Sequence, residues 1–453
     1  MNYVMGVFNW LIAAGPTVML PVIITIIGMI FGLNIGRAFK SGLTLGIGFA
    51  GIKLILDFMT TNVGPAAKAM VDRTGVHLTA LDVGWGSIAA VTWASPIIAL
   101  LIFAILIVNI VLLILKHTHT LDVDIWNYHH IAIVGVMVYF VTHNMWLGIG
   151  SSVVMALITF KLADWSQPMV EDFFGVPGVS LPTVSALSSL VIAWPLNWLL
   201  DRIPFFRKSK FSIRDAQKYL GFFGDSMIMG LIIGMAIGAL AGYNFMKIMQ
   251  LGVSMAAVLV LIPKMTSLFM EGLMPISESA QKWSQKRFKG QKLFIGLDAA
   301  VVVGNQDVIT TALIIIPMTI AMALVLPGNH VLPFADLAVV PFRVAMVVAL
   351  TNGNLLKNIV IGLVVTASLL WCGTSTAPVL TQLAKSVGIK LGASSLYISS
   401  FAATSMIQSW AVYMAFTTHQ IILIPILLIV FAGCWYFFDG IKKVNENVNT
   451  TEA

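Results

Sequence analysis

The chain has 453 residues, of which 58% are hydrophobic and only 10% are charged. Soluble domains carry about 25% charged residues, so this composition excludes a soluble domain and predicts a protein that crosses a membrane many times. The net charge of +7 does not indicate a nucleic-acid partner, because the basic residues cluster in short segments between apolar runs, as they do in cytoplasmic loops. No charged segment precedes the first apolar run, which therefore does not resemble a signal peptide.

The sequence carries no cofactor or metal signature. Cys372 and Cys434 lie in apolar runs without the spacing of a disulfide framework or a metal site. There is no GxxxxGK[ST] loop, and no GxGxxG follows a predicted strand. His117 and His119 lie in a predicted loop, and no third ligand accompanies them. We therefore expect neither a cofactor nor a metal, and an integral membrane enzyme is disfavoured.

Apolar runs of about twenty residues, the length that spans a bilayer, recur along the first half of the chain. Two segments break the pattern: residues 60–80 favour an amphipathic surface helix, and residues 164–183, which are rich in proline and glycine, favour a re-entrant hairpin. The other predicted elements are an interfacial helix at 3–14 and spans at 17–35, 43–59, 93–115, 129–139, 145–160 and a proline-containing run that ends at 200.

A basic stretch at residues 201–218 marks the midpoint and predicts a cytoplasmic segment. Residues 373–417 are rich in serine, threonine and alanine and favour no single element. In all, the sequence predicts an all-α polytopic fold with about eleven transmembrane helices and re-entrant hairpins. The elements of the second half are spans at 224–242 and 250–271, a basic helix at 277–289, an apolar run that ends near 327, and spans at 337–350, 356–372 and 418–438.

An internal repeat organises these elements. Residues 26–50 and 232–256 align without a gap at an offset of 206, with 10 identities in 25 positions. Repeats with an odd number of spans are inverted relative to each other, and transporters built in this way bind substrate near the repeat interface. The predicted division is a first inverted repeat at 1–200, a cytoplasmic basic linker at 201–223, a second repeat at 224–372, and a C-terminal segment at 373–453 with the last transmembrane helix. This predicts an external N-terminus and a cytoplasmic C-terminus.

Two carboxylates occupy matching places in the halves. Asp82 and Asp298 each follow a leucine and lie in a glycine-broken segment. Non-helical backbone inside a membrane is tolerated only where protein or water satisfies it, and an ionisable residue there is a functional candidate. We predict that the two carboxylates face one cavity and accept hydrogen bonds from substrate hydroxyls; the alternative is that each caps a short helix or pairs with a nearby cation. His129 and His130 are adjacent, so only one can face that cavity.

The motifs together resemble those of the membrane component, enzyme IIC, of bacterial sugar phosphotransferase systems, in the galactitol branch. The resemblance covers nearly the whole chain. Its motifs are GPTVMLP at residues 15–21, GIGFAGIKL at 46–54, GPAAKAM at 64–70, LDVGW at 81–85, TWAS at 92–95, VDIWN at 123–127, LAGY at 240–243, FIGLD at 294–298 and PGNHVLPFADLA at 327–338.

The resemblance implies a homodimer in which each protomer has a dimerising scaffold domain and a mobile core domain, both drawn from the two repeats. The core is expected to move like an elevator in the bacterial inner membrane. Separate IIA and IIB proteins would be its partners, and IIB would phosphorylate the substrate. This chain contains no IIA or IIB sequence, so we expect no phosphorylation site of its own.

The resemblance also implies a set of substrate-binding residues, by analogy with related ascorbate carriers: Asp82, Val83, Gly84, His130, Thr183 and Asp298. Galactitol relatives carry Pro-His where this chain has Pro182-Thr183. Galactitol is the expected substrate, and another hexitol, a pentitol or a related sugar also fits. The alternative function is a proton-coupled secondary transporter that uses Asp82, Asp298 and His130 without a phosphoryl donor.

Overall fold

The computed structural model describes residues 16–74, 78–93, 95–122, 124–208, 226–287, 293–386 and 397–418, with isolated positions between 425 and 433. The predicted interfacial helix at 3–14, most of the basic linker and most of the last predicted span lie outside the described residues. Helices dominate the described part of the chain, which agrees with a polytopic membrane fold.

The helices alternate with short connections. Short 3₁₀ turns lie at Ala299–Val301 and Ala335–Val339. In chain order the described α-helices are α1 (Pro16–Ile30), α2 (Ile35–Thr74), α3 (Trp85–Trp93), α4 (Ile98–Ile114), α5 (Ile125–Thr142), α6 (Met145–Phe174), α7 (Val184–Leu200), α8 (Pro204–Lys208), α9 (Ser226–Leu240), α10 (Phe245–Arg287), α11 (Gln306–Val325), α12 (Val340–Leu350), α13 (Leu355–Ser386) and α14 (Ile407–Thr417).

Three helices of the described ranges, α6, α11 and α13, are long and apolar enough to cross a bilayer by themselves. Shorter apolar stretches, at residues 100–114, 184–200, 230–240 and 245–258, lie in α4, α7, α9 and α10. A helix rises 1.5 Å per residue, so about twenty residues match the hydrocarbon core. The total of eleven spans stays a prediction.

Local capping explains where the central helices begin and end. Asp124 precedes α5 and its side chain accepts a hydrogen bond from Trp126 N–H, while His143 after α5 is left-handed. Asn144 then accepts from the Trp146 and Leu147 N–H groups to begin α6, which ends at the left-handed Gly175. Short polar side chains satisfy free N–H groups at helix starts, and left-handed residues end helices. Two residues therefore suffice to join α5 to α6.

Several helices are longer than the sequence predicts. The predicted span at 43–59 and the amphipathic segment after it form one helix, α2, which continues through Pro65. The predicted hairpin at 164–183 is helical up to residue 174. Its prolines and glycines favoured a hairpin, but α6 continues through Pro168. Two charged residues of this helix are buried: Lys161 Nζ donates to the His117 carbonyl at 2.8 Å, and Asp164 accepts from His119 N–H at 3.1 Å.

The fold also contains short strands, so the prediction of an all-α fold was wrong in this respect. In the described residues they form two parallel three-stranded sheets, one in the order β5-β1-β6 and the other in the order β2-β4-β3. Runs this short carry no readable two-residue alternation. The strands are β1 (Ala80–Asp82), β2 (Thr120–Asp122), β3 (Val179–Ser180), β4 (Phe294–Gly296), β5 (Val331–Leu332) and β6 (Tyr397–Ser399).

The turn between α1 and α2 has the same form as the turn between α9 and α10. Gly32 and Gly242 both have positive φ, and Asn34 and Asn244 both accept a hydrogen bond from the backbone three residues later. The turns are 210 residues apart, four more than the offset of the sequence alignment. Glycines recur every fourth residue around the turns, at positions 28, 32 and 36 in the first pair of helices and at 230, 234, 238 and 242 in the second. Sliding the alignment by about one helical turn therefore still matches Gly28 and Gly32 to glycines.

The α5 helix lies at the centre of one apolar core, since residues 131–138 are all buried. It packs against α4, α6, α13 and α14. A second core contains many of the buried apolar side chains of α7, α11 and α12. The two sheets connect the two cores, because each strand is followed by a helix or 3₁₀ turn that contributes to one of them.

Candidate functional site

The sheet formed by β2, β4 and β3 brings polar residues from distant parts of the chain together. Its strands are parallel, so the residues that follow them meet at one edge of the sheet. Asp124 follows β2, Thr183 follows β3 and Asp298 follows β4. We call these three residues, with Asn127 of α5, the β4-edge cluster.

Thr183 connects the members of the β4-edge cluster. Its hydroxyl oxygen accepts a hydrogen bond from Ala299 N–H at 2.8 Å. The hydroxyl lies 3.1 Å from Asn127 Oδ1 and 3.4 Å from Asp298 Oδ2. A hydroxyl has one hydrogen to donate, so the Thr183 hydroxyl can donate a hydrogen bond to only one of these two oxygens at a time. The other oxygen remains an acceptor for a ligand.

Asp298 is partly exposed and caps the 3₁₀ turn after it, because its Oδ1 accepts from Ala300 N–H at 2.8 Å. Its own N–H donates to Asp124 Oδ2 at 3.0 Å. Asn127 is held in turn by Asp122, whose Oδ1 accepts from Asn127 Nδ2 at 2.9 Å. The cluster is therefore rich in carboxylate and amide oxygens, which are held by backbone N–H groups at Asp124 and Asp298 and by neighbouring side chains at Asn127.

The two histidines of α5 stack on each other, with ring centroids 3.9 Å apart. His129 Nδ1 lies 2.6 Å from the Trp126 carbonyl, and the His130 ring interacts with the Ala402 backbone. Within the described residues, His129 Nε2 and His130 Nδ1 have no hydrogen-bond partner. His130 lies three residues after Asn127, and such positions share one face of a helix. This spacing favours His130 over His129 as the imidazole nearer the β4-edge cluster.

Asp82 lies at the end of β1, the centre of the other sheet, and is fully buried. Its Oδ1 accepts from Gly84 N–H at 3.2 Å, and its Oδ2 accepts from Phe334 N–H at 3.0 Å and Asp336 N–H at 2.9 Å. The carboxylate therefore joins β1 to the segment after β5. We call Asp82, Asp336 and Ser400 the β1-edge cluster.

Asp336 extends this network. Its Oδ1 accepts from Trp85 N–H at 2.9 Å, and its Oδ2 accepts from Ser400 Oγ at 2.6 Å and Ala402 N–H at 3.0 Å. The Trp85 ring reaches toward α5, with its centroid 5.4 Å from that of Trp126 and 5.9 Å from that of His129. Aromatic contacts thus connect the two edge clusters.

Comparison with known proteins identifies the family. A family model described as "PTS system sugar-specific permease component" (EIIC-GAT) matches residues 11–394. The chain is 37% identical over 382 residues to the "PTS system galactitol-specific EIIC component" of Escherichia coli, with 84% of this chain and 85% of the relative covered. It is also 35% identical over 405 residues to a "Putative permease IIC component" of Escherichia coli, with 89% and 92% covered.

The chain belongs to the EIIC-GAT family. It is therefore an integral membrane protein and a sugar-specific permease component of a phosphotransferase system. The resemblance found in the sequence motifs is confirmed.

Of the predicted EIIC-GAT site residues, Thr183 and Asp298 are in direct contact, whereas Asp82, Val83 and Gly84 belong to the other sheet. His130 lies between them on α5. Their contact with a substrate stays a prediction. Sequence reasoning did not single out Asp124, Asn127 or Asp336 as site residues, although each lies in a motif that carried the family resemblance. Only the strand pairing reveals that these motifs converge.

Proposed function

We propose that this chain carries galactitol or a related polyol across the membrane and presents it to a separate IIB protein for phosphorylation. The relatives named above support the substrate class. The observation that carries the proposal is the β4-edge cluster, in which the partly exposed Asp298 lies next to the buried oxygens of Thr183 and Asn127. A polyol has only hydroxyl groups, and each can donate to such an oxygen.

The energetic scale is adequate for recognition. A hydrogen bond to a charged acceptor contributes about 1.5–3 kcal/mol. Asp298 and His130 are proposed to contact the substrate directly, together with Thr183. Asp82 is proposed to act by holding the Val83–Gly84 loop, since its oxygens already accept from three backbone N–H groups. A threonine at position 183 is smaller than an imidazole, which leaves room for a substrate other than galactitol.

We propose that two inverted repeats build the carrier. The order of helices and strands from α1 to α7 recurs from α9 to α14, except that the 3₁₀ turn at Ala299–Val301 stands in the place of α3 and a second 3₁₀ turn, Ala335–Val339, precedes α12. The central strand of each sheet comes from the opposite half to its neighbours. Because β6 pairs with β1 in the same way that β3 pairs with β4, the strand pairing supports a second repeat that extends beyond residue 372, through β6 and α14, to about residue 417. The predicted linker at 201–223 then separates the two repeats.

The remaining features of the proposal are about eleven spans, an external N-terminus, a homodimer and elevator movement of a core domain in the bacterial inner membrane. The basic linker supports a cytoplasmic midpoint. At the offset of 206, Arg37 of the first repeat matches the uncharged Tyr243, which supports opposite orientations of the two repeats, whereas at the offset of 210 it matches Lys247 and gives no such support.

The test is galactitol phosphorylation by membranes that contain this chain, with phosphoenolpyruvate, the general carrier proteins and IIA, and with IIB either supplied or withheld. We expect phosphorylated product only when IIB is present. Asp298→Asn should abolish it, because a neutral amide accepts hydroxyl hydrogen bonds less strongly than a carboxylate. The matched control is Asp172→Asn, which changes an exposed carboxylate at the end of α6 and should leave the rate unchanged.

Unphosphorylated galactitol that enters vesicles in response to a proton gradient would instead establish the secondary transporter. A panel of hexitols and pentitols in the same assay determines the substrate range. Full activity of a folded Asp298→Asn variant would remove Asp298 from the site.

A further inference from the structure

Arg343 is a cation buried among apolar helices. It lies on α12 with only 6% of its surface exposed. Among the described residues its Nε has no hydrogen-bond partner. Its Nη2 reaches Thr319 Oγ1 only at 3.5 Å, the outer limit of a hydrogen bond. A buried donor without an acceptor is costly, so this N–H group calls for an explanation.

The nearby carboxylates balance the charge of Arg343 but leave this donor unused. Asp336 and Asp82 both interact electrostatically with the guanidinium. Their oxygens already accept hydrogen bonds from Ser400 and from backbone N–H groups of both halves of the chain. The β1-edge cluster therefore supplies negative charge to Arg343, while three of the about four acceptor positions of each carboxylate already receive hydrogen bonds from other groups.

A small cavity lies beside this side chain. Its polar lining comes from Ser185, Asp336 and Arg343, and the rest of its wall is formed by Val339, Val340, Leu369, Phe401 and Ala402. Ser185 is two residues after Thr183 of the β4-edge cluster, and Ala402 contacts both Asp336 and the His130 ring. The cavity thus lies between the two clusters, where the halves of the chain meet. An acceptor atom that enters it can reach Arg343.

We propose that this cavity is a subsite for one hydroxyl group of the polyol, with Arg343 Nε–H donating to the hydroxyl oxygen. This inference rests on the proposed function. A neutral ligand is favoured over a sugar acid, because Asp336 and Asp82 already oppose the single positive charge and would repel a carboxylate. A hydroxyl oxygen can accept the hydrogen bond of the unused Nε–H group without adding charge. Arg343 therefore determines the specificity of the carrier for a hydroxyl group at that position of the polyol.

The test measures binding of radiolabelled galactitol to the purified full-length protein in detergent, with competition by enantiopure monodeoxygalactitols. Arg343→Lys keeps the charge but removes the Nε–H group. We expect it to weaken galactitol binding about tenfold to a hundredfold, the range for a hydrogen bond to a charged group. One deoxy analogue lacks the hydroxyl group that enters the subsite. It should bind the wild-type protein weakly, and its affinity should not fall further in the Arg343→Lys variant.

Ser185→Ala is a second, milder variant that changes the same cavity. It should weaken the binding of galactitol more than the binding of that deoxy analogue. Thermal unfolding of each variant reports whether it is folded. Equal losses for galactitol and every deoxy analogue, or no loss in a folded Arg343→Lys protein, would overturn the subsite while leaving the proposed function intact. If wild type binds no hexitol or pentitol of the panel, the proposed substrate class fails and the subsite fails with it.

Discussion

Asp82 and Asp298 are each the aspartate of a Leu-Asp motif, yet their surroundings differ. Asp82 is fully buried and its two oxygens accept from three backbone N–H groups, two of them more than 250 residues away in sequence. Asp298 is partly exposed, and its oxygens meet one backbone N–H group and the Thr183 hydroxyl. The β1 edge is therefore closed by the protein itself, whereas the β4 edge keeps acceptor positions for a ligand.

In the proposed carrier, this difference would explain how two repeats hold one substrate rather than two. Both halves contribute an equivalent carboxylate, but only one carboxylate remains available after the chain has satisfied its own backbone. A buried polar group must be hydrogen-bonded, and Asp82 meets this need for the segment after β5. We infer that the β1 edge contributes mainly stability and the β4 edge mainly affinity.

The largest expected effect is that of Asp82→Asn on stability. An amide in this place turns one acceptor into a donor that faces backbone N–H groups, so the variant should lose about 3 kcal/mol of unfolding free energy. Thermal unfolding in detergent measures this loss. Asp298→Asn is the matched variant of the other edge, and its midpoint should stay close to that of the wild type.

A stable Asp82→Asn protein that no longer binds galactitol would reverse this assignment, because Asp82 would then act on the substrate directly. Equal destabilisation by both variants would show that the two edges do not differ.

Sequence reasoning identified the membrane class, the family and both Leu-Asp motifs, because apolar run length and motif identity are local properties. It did not predict the sheets that bring Asp124 to Asp298 and Asp336 to Asp82, since strands of two or three residues have no periodic pattern. It also placed Asp164 in a re-entrant hairpin, whereas the residue lies in α6. Only the tertiary contact with His119 N–H and Thr120 Oγ1 reveals why a carboxylate is tolerated in α6.

Two glycines give a second comparison of the edges, with an intermediate effect. Gly84 has a φ of +82°, and a Cβ there would lie 2.8 Å from Ala335 Cβ. A Cβ on Gly296 would lie 2.8 Å from the Asp122 Cα on the neighbouring strand. Gly84→Ala should cost about 2 kcal/mol of stability, from left-handed strain and this contact. Gly296→Ala should move β4 away from β2 and displace Asp298.

We therefore expect Gly84→Ala to lower the unfolding midpoint more than Gly296→Ala does, and Gly296→Ala to weaken galactitol binding more than Gly84→Ala does. Thermal unfolding and equilibrium binding on the same preparations measure the two quantities. The opposite order in both assays would contradict the division between the edges.

The smallest expected effects come from the hydroxyl groups at the two edges. Ser400 donates to Asp336 Oδ2 at 2.6 Å, and Thr183 accepts from Ala299 N–H at 2.8 Å. Ser400→Ala and Thr183→Val should each cost about 1 kcal/mol of stability, the usual net contribution of one hydrogen bond. Only Thr183→Val should also weaken substrate binding, because its hydroxyl belongs to the open edge. Thr183→Ser retains the hydroxyl and should bind substrate more tightly than Thr183→Val does. Comparing the two variants separates the loss of a hydrogen bond from a change in packing.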